Sequence, residues 1–221
     1  MTEPLFTPPA FRMEGPAARA HIAAHSFGLL TLADDDPAAP PLIAPVPMRV
    51  TGDPERGDER LIGHVAKANP IWRRIDGRRS ARAVFMGPHA YLSPRWYGAD
   101  AARAVPTWNY LAAEVVFRPR LVEAPDRSIE ILAALAALYE PAEGGWAPAG
   151  SAEETVRNML PGIVAFEGPV ERLAGKAKLS QNKSPAQIAA AAAAMADQVD
   201  PLARQTAAAM RAALEARGEA G

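Results

Sequence analysis

The chain has 221 residues, 49% of them hydrophobic and 22% charged, with a formal net charge of -1 at pH 7. That is enough chain for one sizeable core, and the charge balance gives no long-range pull toward nucleic acid or an anionic membrane. There is no cysteine, which excludes disulfides, thiolate metal sites and cysteine catalysis.

Residues 1–15 are proline-rich and read as extended chain. They lack the apolar h-region of a secretory leader, and no apolar run approaches a membrane span, so a cytoplasmic location is expected. Pro16 to His25 reads as a short helix with proline in its first turn. Phe27 to Ala33 is strand-like, and DDDPAAPP after it is a turn whose acids read as solvated. Leu42 to Val50 alternates, but Pro45 and Pro47 remove two ladder donors, which predicts an edge or bulged strand. Arg60 to Val65 is a third strand. Asn69-Pro70 then predicts a capped helix start, with Ile71, Trp72 and Ile75 on its buried side and Gly77 past its end.

Ala81 to Met86 is a fourth strand, closed by Gly87-Pro88. Trp108 to Val122 is extended, with a break near Pro119. Asp126 to Tyr139 carries an apolar helical stripe, and Ser151 with Glu154 predicts a capping box opening a short helix to Leu160. Gly162 to Leu173 returns to strand. Ser184 and Gln187 form a second predicted capping box, ahead of an alanine-rich helix. Asp200-Pro201 starts the last helix. Six strands with helices between and after them predict a mainly β fold: a small antiparallel barrel with helical additions, not a doubly wound sheet. The expected organisation is a domain over 1–183 and a helical extension over 184–221, packed on the domain or on a dimer.

Four stretches carry chemistry. GHVAKANP places His64, Lys67 and Asn69 around a helix start, a combination of cation and backbone N–H groups that suits a phosphate. The same residues also read as a helix cap beside a solvated lysine. GPHAYLSPRWY holds Tyr91, Ser93 and Trp96 in what reads as a stiff loop, either a platform for a planar ring or a cover for a barrel end. VPTWNY sets Trp108 and Asn109 at a strand start, where an amide could meet a ring edge or simply serve a turn. GKAKLSQNKS gathers three of the four lysines, Lys176, Lys178 and Lys183, with Ser180, Gln181 and Asn182. That is a donor-dense segment or a solvated loop. No His or carboxylate set has metal-ligand spacing, so no metal is expected, and no catalytic residue is assigned.

GHVAKANPIWR, GPHAYLSPRWY, VPTWNY, MLPGIVAFE and GKAKLSQN follow one another in an order that resembles the PaiB-type family of FMN-binding negative transcriptional regulators, over about His25 to Ser184. The resemblance implies a six-stranded antiparallel split β-barrel of the pyridoxamine-phosphate-oxidase type, a homodimer, and FMN at the subunit interface. It implies phosphate-side contacts from His64, Lys67 and Asn69. Tyr91, Ser93, Trp108 and Asn109 would border the pocket, and Lys178, Ser180, Gln181 and Asn182 would close it. Three places depart from the family's pattern: Ala44-Pro45-Val46-Pro47 stands where a Ser-His-Leu-Pro-like piece is usual, Met86 where glutamine is usual, and Ala177 where an aromatic is common. The chain reads as an FMN-binding split-barrel protein and transcriptional regulator. The alternatives are a flavin-dependent oxidoreductase of a small substrate, or a regulator working through a protein partner without bound flavin. No basic helix-turn-helix supports direct DNA readout.

Overall fold

A computed structural model describes residues 5–103 and 105–219. Of the proline-rich opening, residues 1–4 lie outside that range; the rest holds a 3-10 turn at Pro9–Phe11 and strand β1 (Arg12–Met13). Helix α1 (Gly15–Ala24) follows. Then come β2 (Phe27–Leu32), β3 (Leu42–Thr51), β4 (Arg60–Ala66), β5 (Ala81–Leu92), β6 (Thr107–Phe117) and β7 (Arg120–Leu121). Helices α2 (Pro125–Ala136) and α3 (Glu153–Met159) precede the longest strand, β8 (Ile163–Lys178). Helices α4 (Pro185–Ala196) and α5 (Pro201–Glu219) close the described chain. No helix among the described residues is long and apolar enough to cross a membrane.

The sheet runs β1-β8-β4-β3-β2-β5-β6, and β6 also pairs with β8. Six strands, β8, β4, β3, β2, β5 and β6, therefore close a ring, and β2–β3, β2–β5, β3–β4 and β4–β8 pair antiparallel. Closure removes the exposed edges that an open sheet must protect. Strict alternation fills the interior. Leu30, Ala44, Val46, Met48, Leu61, Val65, Ala83, Phe85, Val115, Phe117 and Phe166 point inward and form one core. Between β5 and β8, Glu114 of β6 is buried, 2.6 Å from the Arg82 guanidinium and 3.8 Å from that of Arg172. A carboxylate buried this deeply is tolerable only beside such cations.

The chain divides into two compact units. One comprises Arg19–Phe85 and Ala113–Leu173. The other comprises the described parts of Met1–Ala18, Met86–Ala112 and Ala174–Gly221. The first holds the barrel core and, over its outer side, α2, whose Ile131 and Leu135 bury against Ile62 and Ala165. The second is built on small residues: Ala191, Ala192 and Met195 of α4 and Ala203, Ala207 and Met210 of α5 are buried together with Leu92, Tyr97 and Leu179. Alanine has the best intrinsic helix propensity but buries little area, so these helices pair by close approach. The Ser184–Gln187 capping box forms as predicted, and Asp200 Oδ1 accepts from Leu202 N at 2.9 Å.

Five local expectations are corrected. β3 is not an edge strand. It pairs with β2 over residues 42–47 and with β4 only over residues 48–51. Met48 N donates to Ser26 O, toward β2, so Pro45 and Pro47 have their missing donors on the β4 side, where pairing has already ended. β5 does not stop at Gly87-Pro88; instead its inward phase slips by one residue, from Phe85 and Gly87 to Ala90 and Leu92, as at a bulge. β8 continues through Lys178, which makes GKAK strand rather than loop. Gly175 permits this, since a Cβ there would lie 2.8 Å from those of Met13 and Ala18. The helix at Pro70–Arg74 is a five-residue 3-10 turn. The Ser151 capping box is absent: Gly150–Ala152 forms a 3-10 turn, and α3 begins with no side-chain cap.

Gly168 of β8 lies against the β6–β7 bend, where an added Cβ would be 2.1 Å from Arg118 O. Gly168→Ala should cost about 1–3 kcal/mol or more, because backbone must move. A urea midpoint within error of wild type would contradict this packing. Ser184→Ala should cost ~1 kcal/mol through loss of the α4 cap, read in the same titration.

Candidate functional site

In the barrel unit the outward face of β2 and β3 is apolar and open. Phe27 is 65% exposed, Leu29 37% and Ile43 57%. Register aligns them with proline: Phe27 opposite Pro47, Leu29 opposite Pro45. One step past the last β3–β4 pair, Met48 with Gly63, Pro47 comes level with His64, and His64 pairs with Ala165 of β8. A row thus crosses four strands: Phe27, Pro47, His64, Ala165. His64 is half-buried in this row, and its Nδ1 is buried without a hydrogen-bond partner. Burial pushes the imidazole below its ordinary pKa of 6.5, so the ring is held neutral. A buried polar atom with nothing to bond is costly and awaits a partner.

The segment after β4 is a locked turn. Lys67 N donates to Gly162 O, Asn69 N to Ala66 O, Asn69 Oδ1 accepts from Ile71 N, and Trp72 Nε1 donates to Lys67 O at 3.0 Å. The backbone donors expected to be free at a helix start are spent on the turn itself. What remains for a ligand is the Lys67 ammonium, 3.9 Å from the centre of the Trp72 ring. Lys67 and Trp72 form one wall of a cleft of about 580 Å³ whose other side includes Arg157, Leu160 and Pro161. Arg157 is neutralised by Asp126 and Glu153 at 2.8 and 3.0 Å. His64 and Asn69 do not line this cleft.

In the second unit, Trp108 is 53% exposed and meets Tyr91 edge-on at 6.3 Å between ring centres; His89 lies at the same distance. Ser93 Oγ accepts from Arg95 N. Asn109 is fully buried. Its amide donates to Ser180 Oγ at 3.0 Å and reaches Met210 Sδ at 3.2 Å. Ser180 Oγ is also 3.1 Å from Tyr97 OH. Gln181 spends its side chain on Leu179 N and Ala177 O. Lys178 donates to Thr107 Oγ1 and Trp108 O, and burial pulls its ammonium below the ordinary lysine value. Lys178, Ser180, Asn109 and Asn182 line one cleft of about 360 Å³. Tyr97, Thr107 and Lys183 also line it. Sequence reasoning names Lys183 only as part of the lysine run and gives Tyr97 and Thr107 no role in a site, although both lie in stretches read for chemistry.

The acidic turn is not simply solvated: Asp34 and Asp35 pair with Arg74, and Asp35 also with Arg79 at 2.7 Å. No His, Asp or Glu cluster that could hold a metal exists among the described residues.

A six-stranded ring of this kind is a split β-barrel. The solved structures that resemble it agree with this fold. A FAD and heme binding protein from Mycobacterium smegmatis superposes with TM-score 0.56 at 15% identity, over 80% of this chain and 78% of the other. The flavocytochrome Anf3 from Azotobacter vinelandii does so with TM-score 0.54 at 11% identity, over 76% and 69%. Residues 5–172 match the family described as "Putative FMN-binding domain", and the chain belongs to that family. The "Protease synthase and sporulation protein PAI 2" of Bacillus subtilis is 31% identical over 124 residues, 56% of this chain and 58% of that protein, so the match spans less than two thirds of the relative. The cofactor of this domain is FMN. The open Phe27–Pro47 wall and the unpartnered His64 Nδ1 are compatible with it, offering a flat apolar surface beside one free polar atom.

His21, whose Nε2 lies 3.2 Å from Phe85 O, and His25 are also pushed below 6.5 by burial. A histidine with a lowered folded pKa takes up protons more readily when unfolded. Its contribution is therefore intact above pH 6.5 and is lost as pH falls below that value. Tm should drop between pH 7 and pH 5, and the His21 and His64 imidazole resonances should titrate below pH 6.5. An NMR midpoint at or above 6.5 for His64 would contradict its burial.

Proposed function

We propose that this protein binds FMN on the outward barrel wall around His64, and that a second copy of the chain completes the enclosure. On this reading it is an FMN-binding homodimer of the PaiB type, acting as a regulator through its bound cofactor. The observation that carries the reading is the juxtaposition of an open apolar wall, Phe27, Leu29, Pro45 and Pro47, with a half-buried histidine whose Nδ1 has no partner. The wall offers van der Waals surface to a planar ring. His64, neutral because it is buried, can donate or accept one hydrogen bond at Nδ1. Lys67, for which no ion pair is found among the described residues, supplies positive charge for the phosphate, and its ammonium lies against the Trp72 ring. Asn69 keeps the turn that carries Lys67 in place through its cap on Ile71 N.

Bound FMN would supply electron-transfer chemistry of its own. The side chains would bind it, shield it from water and hold its polar edge. The protease and sporulation connection belongs to the Bacillus relative. For this chain, a net charge of -1 favours regulation through a partner protein or a metabolite over direct DNA readout.

Titration of the purified chain with FMN should give one flavin per chain with a shifted absorbance band. His64→Ala should weaken it by roughly tenfold, the worth of one hydrogen bond to a buried group. Phe27→Asp should both weaken FMN and shift the species seen in size-exclusion chromatography toward monomer. Absence of binding at millimolar FMN would sink the proposal.

A further inference from the structure

We propose that the arginine-rich segment between β4 and β5, together with Arg120, is a docking surface for an acidic peptide of a partner protein. The sequence segregates charge here. Residues 72–82 hold five arginines, Arg73, Arg74, Arg78, Arg79 and Arg82, and one acid, Asp76, in a chain whose net charge is -1. All of them belong to the barrel unit, as does Arg120. A basic block on a near-neutral chain attracts anionic partners locally.

The fold gathers these arginines. Asp76 Oδ1 accepts from Arg78 N at 2.8 Å and from Arg79 N at 3.1 Å, which closes a turn ahead of β5. Those two N–H groups hold the Asp76 carboxyl down at about 2. It stays charged, but it is spent on the turn and on Arg79. Gly77 N donates to Pro119 O, which sets the turn against the β6–β7 bend. A Cβ added at Gly77 would lie 3.0 Å from Arg120 Cγ, so the Arg120 stem crosses the turn next to Arg78. Arg82 is spent on Glu114. Arg73, Arg78 and Arg120 are exposed, and no ion pair is found for them among the described residues. Glu167, opposite Arg120 in the β7–β8 ladder, is engaged by Arg60 and Arg127.

The chain itself shows which ligand fits. The turn between β2 and β3 lays two successive aspartates on this surface. Asp35 reaches Arg79 at 2.7 Å and Arg74 at 3.3 Å, and Asp34 reaches Arg74 at 3.7 Å. This is a short acidic peptide held by guanidinium forks, and it covers only the Arg74–Arg79 part of the surface. The fit is incomplete, since Arg74 Nε is buried without a hydrogen-bond partner. Ion pairs as exposed as Asp35 with Arg79 are worth little, so an incoming carboxylate can exchange with them.

Nucleic acid fits less well. A duplex presents one charge per about 1.7 Å of its axis and calls for an unbroken cationic track. Here acids interrupt the track. Asp76 and Glu123 line the groove of about 380 Å³ beside Arg120, and Glu171 pairs with Arg118. A short peptide can step between these acids, and Leu121, half-exposed in the same groove, offers its apolar residues a contact.

The probe is a fluorescein-labelled Gly-Asp-Asp-Asp-Gly peptide, followed by fluorescence anisotropy against the full-length chain at low salt. Binding should saturate, and high salt should abolish it. Arg73→Gln, Arg78→Gln and Arg120→Gln should each weaken it roughly threefold, the worth of one exposed ion pair, and the three together by roughly tenfold or more. Asp35→Asn should strengthen it roughly threefold by freeing Arg74 and Arg79. Glu143→Gln, the same charge change at an exposed position, should leave it unchanged. Circular dichroism checks that each variant is folded. Peptide binding that is equal in wild type and the triple variant overturns the surface. So does the absence of binding in both wild type and Asp35→Asn. Tighter binding of a labelled DNA duplex through the same arginines overturns the choice of partner. None of these results bears on whether FMN binds at His64.

Discussion

Two missing backbone donors shape the working face of this protein. Pro45 and Pro47 stand in the middle of a closed barrel wall, where a strand normally bonds on both sides. β3 keeps its ladder with β2 and abandons β4 beyond Met48. The wall therefore loosens at one place, and that place is beside His64. The same prolines present flat, rigid rings outward, in register with Phe27 and Leu29. A ladder defect and an apolar platform thus have one cause.

The remainder of the barrel compensates. β8 is long enough to pair with β1, β4, β6 and β7, so the ring stays laddered on the far side of the weakened β3–β4 seam. Glu114, set between Arg82 and Arg172, adds a polar constraint on the far arc of the ring. Burying that charge contributes little net stability, but it disfavours any register that separates it from its arginines. The interior meanwhile follows ordinary alternation, with Phe85, Phe117 and Phe166 filling the centre.

Much of this was legible in the residues. The apolar run Phe27–Ala33 and the segment Arg60–Val65 read as strands, and Ser184 with Gln187 as the start of α4, because both signals are local. Errors arose where a local breaker is overruled by distant pairing. Pro88 looks like a terminus, yet β5 absorbs it with a slip of phase. Gly175 looks like a loop residue, yet it is the gap that lets β1 and α1 approach β8. The site was legible as motifs but not as geometry. Nothing in VPTWNY says that Asn109 has no exposed atom, since its burial depends on Ser180 and Met210, which are 71 and 101 residues away.

The alanine seam between α4 and α5 has a thermodynamic corollary. Ala191, Ala192, Ala203 and Ala207 remove few carbon atoms from water, so this helical pair is held more by backbone hydrogen bonds and tight dispersion than by hydration. Exposing it should release little heat capacity, because that quantity follows apolar area. The stability curve of the pair is therefore flatter than that of the barrel. On cooling, the contribution of this pair should weaken less than that of the aromatic-filled ring.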